Sequence, residues 1–398
     1  IDMMLPAFGQ IRADFGLAAD SNAVARIVTV FFLGIGLGQL AWGPLADALG
    51  RKRVLWLGLS IYIVGAIGGA LSPSLELLLV WRFVAGLGAA GVRVVTYGAI
   101  RDRYQGDEMA KMLSYIMAIF LLVPMFAPAL GSLVLMVGTW RWVFAFFAAA
   151  GALLAAWSLR LPESLPPERR IPFHAGKLLE AGRAVVSSRF TMGFTLALTA
   201  MFGFFASYLA STQLIVSDIY DLAEWFPLIF GGASLAYGAA TLLNPRFIDR
   251  FGLRRMLRAT PVGLLLCSVA FAAIALATAG RPPFALYMAS ILSILLMHAL
   301  TTPNLNSAAM MPMGRVAGTA AAVIGALSTL GGAAIGALID SLYDGSVVPF
   351  SLAAVAVSIV ALVLTRWSDA VWERDADRQL LTPEEQAQAT GAAPIEVA

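Results

Sequence analysis

The sequence predicts an all-α membrane protein made of two bundles of six helices, and three observations indicate this fold. Of 398 residues, 60% are hydrophobic and only 13% are charged, whereas soluble domains carry roughly 25% charged residues. Eleven apolar segments are long enough to cross a bilayer. A short pattern also recurs at an offset of 202 residues, as two related halves would require.

The composition excludes several function classes. A soluble enzyme this hydrophobic would lack the polar surface that it needs. A net charge of +3 gives no basic surface of the kind that nucleic acid requires. Cys267 is the only cysteine, so a disulfide or a thiolate metal cluster is excluded, and we expect no metal and no cofactor. An embedded metal-dependent enzyme would need clustered carboxylates, and the one close pair, Asp218 and Asp221, falls in a predicted loop.

The predicted spans account for most of the chain. Each spanning helix needs roughly 20 mainly apolar residues, because a rise of about 1.5 Å per residue must cross about 30 Å of hydrocarbon. Residues 1–8 are apolar over about half a span, and we interpret them as part of a truncated first helix, which would bring the total to twelve. The remaining spans are predicted at residues 23–46, 54–71, 75–100, 109–138, 140–159, 190–217, 225–243, 256–279, 283–302, 316–339 and 347–366.

The distribution of Lys and Arg predicts the orientation in the membrane. Alternate connections place 21 of these residues on one side, whereas the other side holds four, at Arg12, Arg26, Arg141 and Arg281. Basic residues are retained on the cytoplasmic side of a membrane. We therefore expect a multi-pass protein with both termini in the cytoplasm.

The longest connection, residues 161–189, separates an N-terminal bundle at 1–160 from a C-terminal bundle at 190–367. Its four prolines prevent a continuous helix. Residues 368–398 are polar and predict a disordered cytoplasmic tail. Within the connection, apolar side chains between basic ones predict a short amphipathic helix on the membrane surface, formed by Phe173, Leu178, Leu179, Val185 and Val186.

The recurring pattern follows the second and the eighth predicted helices. Asp47 and Gly50 of the first copy correspond to Asp249 and Gly252 of the second. Two six-helix halves with a site near the midplane between them are an architecture of secondary transporters.

The first copy of the pattern, residues 43–53, resembles the loop signature of the major facilitator superfamily. Residues 82–88, 124–131 and 161–164 resemble patterns of its drug:proton antiporter branch. With residues 2–6 and 302–304, the resemblance is to the bicyclomycin and chloramphenicol resistance (Bcr/CflA) type, and it extends to Trp367. Ala48 and Ser132 depart from the usual pattern.

This resemblance implies the major facilitator fold and proton-coupled efflux of small amphipathic compounds across the bacterial inner membrane by alternating access. The expected partners are a small-molecule substrate, protons and the lipid bilayer, and the expected state is a monomer. Two other functions stay open on this fold: a proton-coupled exporter or symporter of an endogenous metabolite, and a facilitator without proton coupling.

Asp2 and Arg82 are the predicted proton-coupling residues. An acid in the bilayer interior is a functional hypothesis by default, because the ionised form costs several kcal/mol there. Counted along their helices, the two residues lie at similar depth. We expect Asp2 to take up and release the proton and Arg82 to modulate it. The alternative is a structural buried ion pair.

The loop signature and the fifth-helix pattern predict parts that move. Gly43 would permit close helix approach, and Asp47 would interact with a helix N-terminus and with Arg51 or Arg103. A solvated turn is the alternative. Pro124 and Pro128 should bend the fifth helix, and Gly131 should allow tight packing, unless the kink is incidental. The predicted gating residues are Gly43, Asp47, Gly50, Arg51, Arg103, Glu163, Asp249 and Gly252.

Candidate substrate contacts are flexible or amphipathic side chains in the spans, which adapt to varied apolar ligands. Packing against other helices or against lipid is the alternative for most of them. His298 is predicted to be either a hydrogen-bonded packing histidine or a proton relay. The candidate set is Met3, Met4, Arg93, Tyr97, Tyr115, Tyr208, Gln213, Tyr237 and Asn304.

Overall fold

The computed structural model describes residues 1–18, 21–104, 106–170 and 175–380, and within these ranges the chain forms helices and no strand. Ten described helices are long and apolar enough to cross a membrane, and α5 coincides with the remaining predicted span. The all-helical membrane fold is therefore confirmed. The helices are α1 Phe8–Asp14, α2 Arg26–Leu49, α3 Arg51–Ala70, α4 Leu75–Arg103, α5 Gly106–Val137, α6 Trp140–Ser158, α7 Ala175–Ser187, α8 Arg189–Asp218, α9 Phe226–Phe251, α10 Leu253–Ala277, α11 Phe284–Met310, α12 Ala317–Ser341 and α13 Val348–Leu380.

The helices run up and down, so their ends form two faces of the bundle. We call one face the arginine-rich end; it carries residues 47–53, 160–170 and 245–258. The opposite face, with residues 12–14, 218–222 and 340–346, is the arginine-poor end. The two names refer to the arginine content of each end and not to a side of the membrane.

The first helical segment inserts into the bundle core. It begins as a 3-10 turn, Asp2–Ala7, and continues as α1. Met4, Leu5, Phe8 and Ile11 are completely buried. The turn packs against α5, α6 and α8, so its apolar side chains join helices of both halves.

Each half is held together by helix pairs that approach closely. In the first half α4 packs against α2 and α3, and in the second α8 packs against α11, α12 and α13. Gly34 and Gly86 lie at the α2–α4 crossing, where a Cβ on either would run into a backbone carbonyl of the other helix. Across the halves, α2 packs on α12 and α5 packs on α9. Such small-residue contacts are typical of membrane helix interfaces, where backbones approach closely.

The two copies of the recurring pattern adopt the same turn. Gly50 is the single residue between α2 and α3, with φ +95°, and Gly252 is the single residue between α9 and α10, with φ +80°. These left-handed conformations favour glycine because it has no Cβ.

Helix α7 of the central connection packs against α12 and α8. Ala181 and Val185 are completely buried, whereas Leu179 and Val186 are exposed. The predicted short helix therefore packs one side against the bundle and leaves other apolar side chains exposed. Of the residues predicted to form it, Phe173 lies outside the described residues.

The prediction of disorder from residue 368 onward is wrong for residues 368–380, because α13 continues to Leu380. Ser368 is completely buried, and Asp369 forms ion pairs with Arg254 and Arg258 on α10. These contacts hold a polar segment that hydropathy alone assigned to solvent. Residues 381–398 lie outside the described part of the chain.

Candidate functional site

Asp2 lies in the 3-10 turn at the contact between the two halves. The turn touches α5 and α6 of the first half and α8 of the second, and Tyr208 on α8 lies within range of the Asp2 charge. No described side chain donates a hydrogen bond to the carboxylate or forms an ion pair with it. The structure therefore places at this contact an acid that forms no hydrogen bond or ion pair with a described side chain; the charged group beside it is the α-amino group of Ile1.

Arg82 on α4 is 2% exposed and is held by aromatic rings. Its guanidinium carbon lies 4.2 Å from the ring centroid of Phe31 and 5.8 Å from that of Phe144. Nε donates to the carbonyl of Ile27 at 3.4 Å, while Nη2 is buried without a described partner. Among the described contacts there is no ion pair between Arg82 and Asp2, so the two side chains are not paired in this conformation.

The fifth-helix pattern is directly connected to the Asp2 turn. Gly131 of α5 lies so close to Met3 that a Cβ at this position would overlap the Met3 carbonyl oxygen. Pro128 is buried, and α5 remains helical through Pro124 and Pro128. Glycine at position 131 thus sets how closely α5 approaches the residue next to Asp2. The bend at the two prolines stays a prediction.

The candidate substrate residues separate into two groups. Met3, Met4, Tyr208, Gln213 and Asn304 are buried, and Tyr237 is half-buried. The other three lie on open surfaces of α4 and α5, so the structure does not bring them together with the first group; they are Arg93, Tyr97 and Tyr115.

A stack of aromatic rings connects α8, α9 and α11. The ring centroid of Phe205 lies 6.2 Å from Tyr208, 5.5 Å from Tyr237 and 5.3 Å from His298. His298 Nε2 lies 3.1 Å from the carbonyl oxygen of Met201, and its Nδ1 lies 3.2 Å from the Tyr237 hydroxyl. A carbonyl only accepts, so Nε2 carries the hydrogen and Nδ1 accepts from the tyrosine. These contacts agree with the packing interpretation of His298.

Phe205 was not among the predicted residues, although its spacing of three from Tyr208 puts both on one face of α8.

Asn304 pairs with Asn244 of α9, each amide donating to the other at 3.0 and 3.2 Å. It also donates to the Leu300 carbonyl at 2.7 Å. Asn304 therefore connects two helices and has its amide hydrogens satisfied by protein.

The loop signature forms an ion network at the arginine-rich end. Arg51 pairs with Asp47 at 2.8 Å and with Asp102 at 2.9 Å. The Glu163 carboxylate accepts from the backbone N–H groups of Arg51 at 2.9 Å and Lys52 at 3.2 Å, so it caps the N-terminus of α3. Asp102 was not predicted, because only its position in the fold places it beside Arg51.

Three further predicted gating residues, Gly50, Arg103 and Gly43, have different surroundings. Gly50 lies against Glu163, since a Cβ on it would come within 2.6 Å of Oε2. Arg103 donates to the Pro162 carbonyl at 2.9 Å rather than to Asp47. The expectation that Gly43 permits close helix approach is wrong, because a Cβ there would meet nothing within 4 Å.

The second copy of the pattern has different partners. Asp249 is exposed, and Gly252 serves the turn through its conformation rather than through a close contact. Arg254 and Arg258 instead pair with Asp369, at 2.9 and 2.5 Å. All the ion pairs described at the arginine-rich end join residues of the same half.

The arginine-poor end contains the ion pair that joins the halves. Arg12, at the end of α1, donates hydrogen bonds from two guanidinium nitrogens to the Asp218 carboxylate at the end of α8, and the shorter N···O distance is 3.2 Å. Asn22 donates to the backbone carbonyl of Asp340 on α12. Asp14 accepts from Trp140 at 2.8 Å and from Arg141 at 2.6 Å, and these hydrogen bonds hold the pKa of the Asp14 carboxyl below its usual value.

The described residues contain no group of three His, Cys, Asp or Glu side chains positioned to hold a metal ion.

Comparisons with known proteins agree with this architecture. A family profile described as the Major Facilitator Superfamily matches residues 1–337. The uncharacterized MFS-type transporter YdgK of Bacillus subtilis is 30% identical over 343 residues, covering 85% of this chain and 84% of the relative. A bicyclomycin resistance protein homolog of Haemophilus influenzae is 27% identical over 369 residues, covering 91% of both chains. The crystal structure of a D-xylose-proton symporter matches 90% of this chain and 93% of that one, with a TM-score of 0.72 and 13% identity, which is a likeness of fold alone.

Proposed function

The chain belongs to the major facilitator superfamily and is a membrane transporter rather than an enzyme, and from this premise we propose that it exports small amphipathic compounds, antibiotics among them, in exchange for protons. The bicyclomycin resistance homolog supports the drug-export part of the proposal. The observation that carries the proton-coupled part is the Asp2 carboxylate, which lies at the contact between the halves and forms no ion pair with a described Lys, Arg or His side chain.

Asp2 is the proton carrier in this proposal. An ionised carboxylate without a partner is costly in a low-dielectric interior, so protonation is a natural way to neutralise it. Arg82 rests on Phe31 and Phe144 in the described conformation. A helix movement that brings Arg82 toward Asp2 would favour the ionised form and release the proton.

The driving force is sufficient for active export. A membrane potential supplies about 2.3 kcal/mol per charge per 100 mV, and a pH gradient supplies about 1.4 kcal/mol per pH unit. The arginine-rich end faces the cytoplasm in this proposal, because basic residues are retained on that side.

Alternating access uses the two ends of the bundle. The Arg12–Asp218 pair and the Asn22 contact close the arginine-poor end in the described conformation. The substrate binds between the halves against the Phe205, Tyr208 and Tyr237 stack and the neighbouring methionines. Rocking of the halves then exchanges which end is closed.

Transport assays with inverted membrane vesicles test the proposal. After respiration acidifies the vesicle lumen, addition of bicyclomycin or chloramphenicol should relieve the quenching of a pH-sensitive dye, because drug entry releases protons. Asp2→Asn should abolish this response while leaving expression and folding normal. Glu76→Gln, which alters an exposed acid at the start of α4, is the control and should respond like the wild type.

Two results would contradict the proposal. Undiminished drug-driven proton movement in Asp2→Asn would exclude Asp2 as the carrier. A wild-type protein that is silent with a panel of drugs but responds to a metabolite would replace drug export by metabolite transport on the same fold.

A further inference from the structure

A second acid lies inside the bundle, on α12 of the C-terminal half. Asp340 is 6% exposed. Its Oδ1 accepts from the Ser207 hydroxyl at 2.5 Å and from the Ser211 hydroxyl at 2.8 Å, both on α8. Its Oδ2 is buried and has no described hydrogen-bond partner. None of the steps proposed above uses this group.

The two carboxyl oxygens have unequal surroundings. Two hydroxyl donors converge on Oδ1, while none of the described donors reaches Oδ2. This asymmetry fits a neutral carboxylic acid, in which Oδ1 is the carbonyl oxygen and Oδ2 carries the hydrogen. A carboxylate would leave a buried, charged oxygen unsatisfied, which is costly.

Among the described residues, no side chain forms an ion pair with Asp340. The hydrogen bonds that its carboxyl group receives come from serine hydroxyls. Asp218 pairs with Arg12, Arg26 donates to the Ala23 carbonyl, and Asp344 accepts from the Ser346 backbone N–H. The titratable side chains described around this end of α12 are Arg12 of α1, Arg26 of α2, Tyr208 and Asp218 of α8, Tyr220, Arg281, Tyr287 of α11, and Tyr343 and Asp344 after α12.

A bound Na⁺ is a poorer fit to this geometry. Hard cations require a shell of several oxygens around the ion. Both serine hydroxyls already direct their hydrogens at Oδ1, so these oxygens form a hydrogen-bonded group rather than a shell around an ion. A single proton on Oδ2 neutralises the carboxylate, and no further ligand is needed.

We propose that Asp340 is a second proton-binding site, sealed in the described conformation and opened to water when the halves separate at the arginine-poor end. The backbone carbonyl of Asp340 accepts from Asn22 of the first half, and α2 packs on α12. Separation of α2 from α12 breaks these contacts and opens this end of α12 to water, while Ser207 and Ser211 stay with Asp340 in the C-terminal half. Each opening would thus expose a protonated acid in the C-terminal half, in addition to Asp2 in the N-terminal half.

The use of this proton in transport rests on the proposed drug:proton exchange, but the protonation of Asp340 is measurable without transport. Infrared spectroscopy of the full-length chain in lipid nanodiscs detects the C=O stretch of a protonated carboxyl. The wild type should show such a band near neutral pH. To remove any contribution of Asp2, the variants are compared in an Asp2→Asn parent. The band should persist when Asp344→Asn, an exposed acid four residues away, is added to this parent, and should be lost when Asp340→Asn is added.

Two further measurements protect the test against misfolding of the Asp340 variant. In the double variant Ser207→Ala, Ser211→Ala the same band should remain and move to higher frequency, because hydrogen bonds to a carbonyl oxygen lower its stretching frequency. In D₂O, hydrogen–deuterium exchange shifts the band. The shift should be slower in the wild type than in Asp218→Asn, because the halves of that variant should separate more often at the arginine-poor end.

Each outcome decides the proposal. A band that survives when Asp340→Asn is added to the Asp2→Asn parent, or the absence of a band from that folded parent, would overturn it. Loss of the wild-type band on addition of NaCl at constant pH would replace the proton site by a sodium site. An Asp340 band in a protein that moves no protons with any drug would uphold the protonation site and refute the proposed exchange.

Discussion

Arg82 is a buried cation stabilised by ring faces and one carbonyl rather than by an acid. The electron-rich faces of Phe31 and Phe144 attract the guanidinium, and its planar shape lets it stack on them. Because these contacts are weaker than a buried ion pair, Arg82 keeps the freedom to exchange partners during a transport cycle. The unpartnered Nη2 is the atom available for that exchange.

Arg82→Lys should therefore impair transport although the charge is kept. A lysine ammonium is a compact, strongly hydrated charge that cannot stack on Phe31, and a desolvated cation–π contact contributes about 2 kcal/mol. We expect drug-driven proton movement to fall by about tenfold or more, measured in the vesicle assay. Arg93→Lys, on an exposed face of the same helix, should lose less than about twofold. Equal transport by Arg82→Lys and the wild type would show that its stacking is dispensable.

Gly131 determines the distance between α5 and the Asp2 turn. In Gly131→Ala the added methyl group would overlap the Met3 carbonyl, and both partners are backbone, which cannot move aside cheaply. We expect a folded protein whose drug export falls severalfold and whose thermal stability falls by about 1–3 kcal/mol.

Gly9→Ala is the matched control for this substitution. Position 9 lies in α1, the helix that continues the Asp2 turn, and a Cβ there would meet nothing within 4 Å. Replacement of glycine by alanine inside a helix should be neutral or slightly stabilising there. If Gly131→Ala behaved like Gly9→Ala in both assays, the close approach would have no role in transport.

At the scale of elements, the central connection stabilises the start of α3. Glu163 satisfies two N–H groups that the first turn of a helix leaves without partners, and its charge complements the helix dipole. Gly50 makes room for this carboxylate through its missing side chain. The short pattern after the sixth helix thus belongs to the same structural unit as the loop signature.

Glu163→Ala should lower the stability of the purified protein by about 1 kcal/mol, the usual cost of a lost N-cap. The melting temperature in detergent measures this change. Glu168→Ala removes an exposed acid from the same connection and should leave the melting temperature unchanged. A loss as large in Glu168→Ala would mean that net charge, rather than capping, is responsible.

On the scale of the whole molecule, closure is asymmetric. The ion pairs described at the arginine-rich end stay within one half, whereas Arg12 and Asp218 connect the two halves at the opposite end. Asp218→Asn keeps the shape of the side chain and removes its charge, so the halves should separate more often at the arginine-poor end.

Spin-label distances measure this shift. With Cys267 replaced by serine, cysteine labels introduced at Ala13 and Leu342, both exposed, should give a longer and broader distance distribution in Asp218→Asn than in its parent. Asp221→Asn, an exposed acid three residues away, should leave the distribution unchanged; asparagine tolerates the positive φ of 55° at that position. No change in Asp218→Asn would show that the pair does not hold the end closed.

Much of this architecture is predictable because it depends on local properties of the chain. Apolar length marks a span wherever it occurs, and a glycine followed by basic residues marks the turn at Gly50 and again at Gly252. Local composition predicts an end of α13 that is too early, because polar composition cannot reveal that Asp369 pairs with Arg254 and Arg258.

The sequence by itself determined the membrane class, the position of the spans and the repeat, because hydropathy controls how deep each segment lies in the bilayer. Hydropathy leaves open the rotation of each helix about its own axis and the identity of its neighbours. Only the tertiary structure decided that Arg82 rests on Phe31, that Asp340 meets two serines of α8, and that Arg12 pairs with a residue 206 positions away. Such contacts depend on which faces of distant helices meet, and that is a property of the packed bundle.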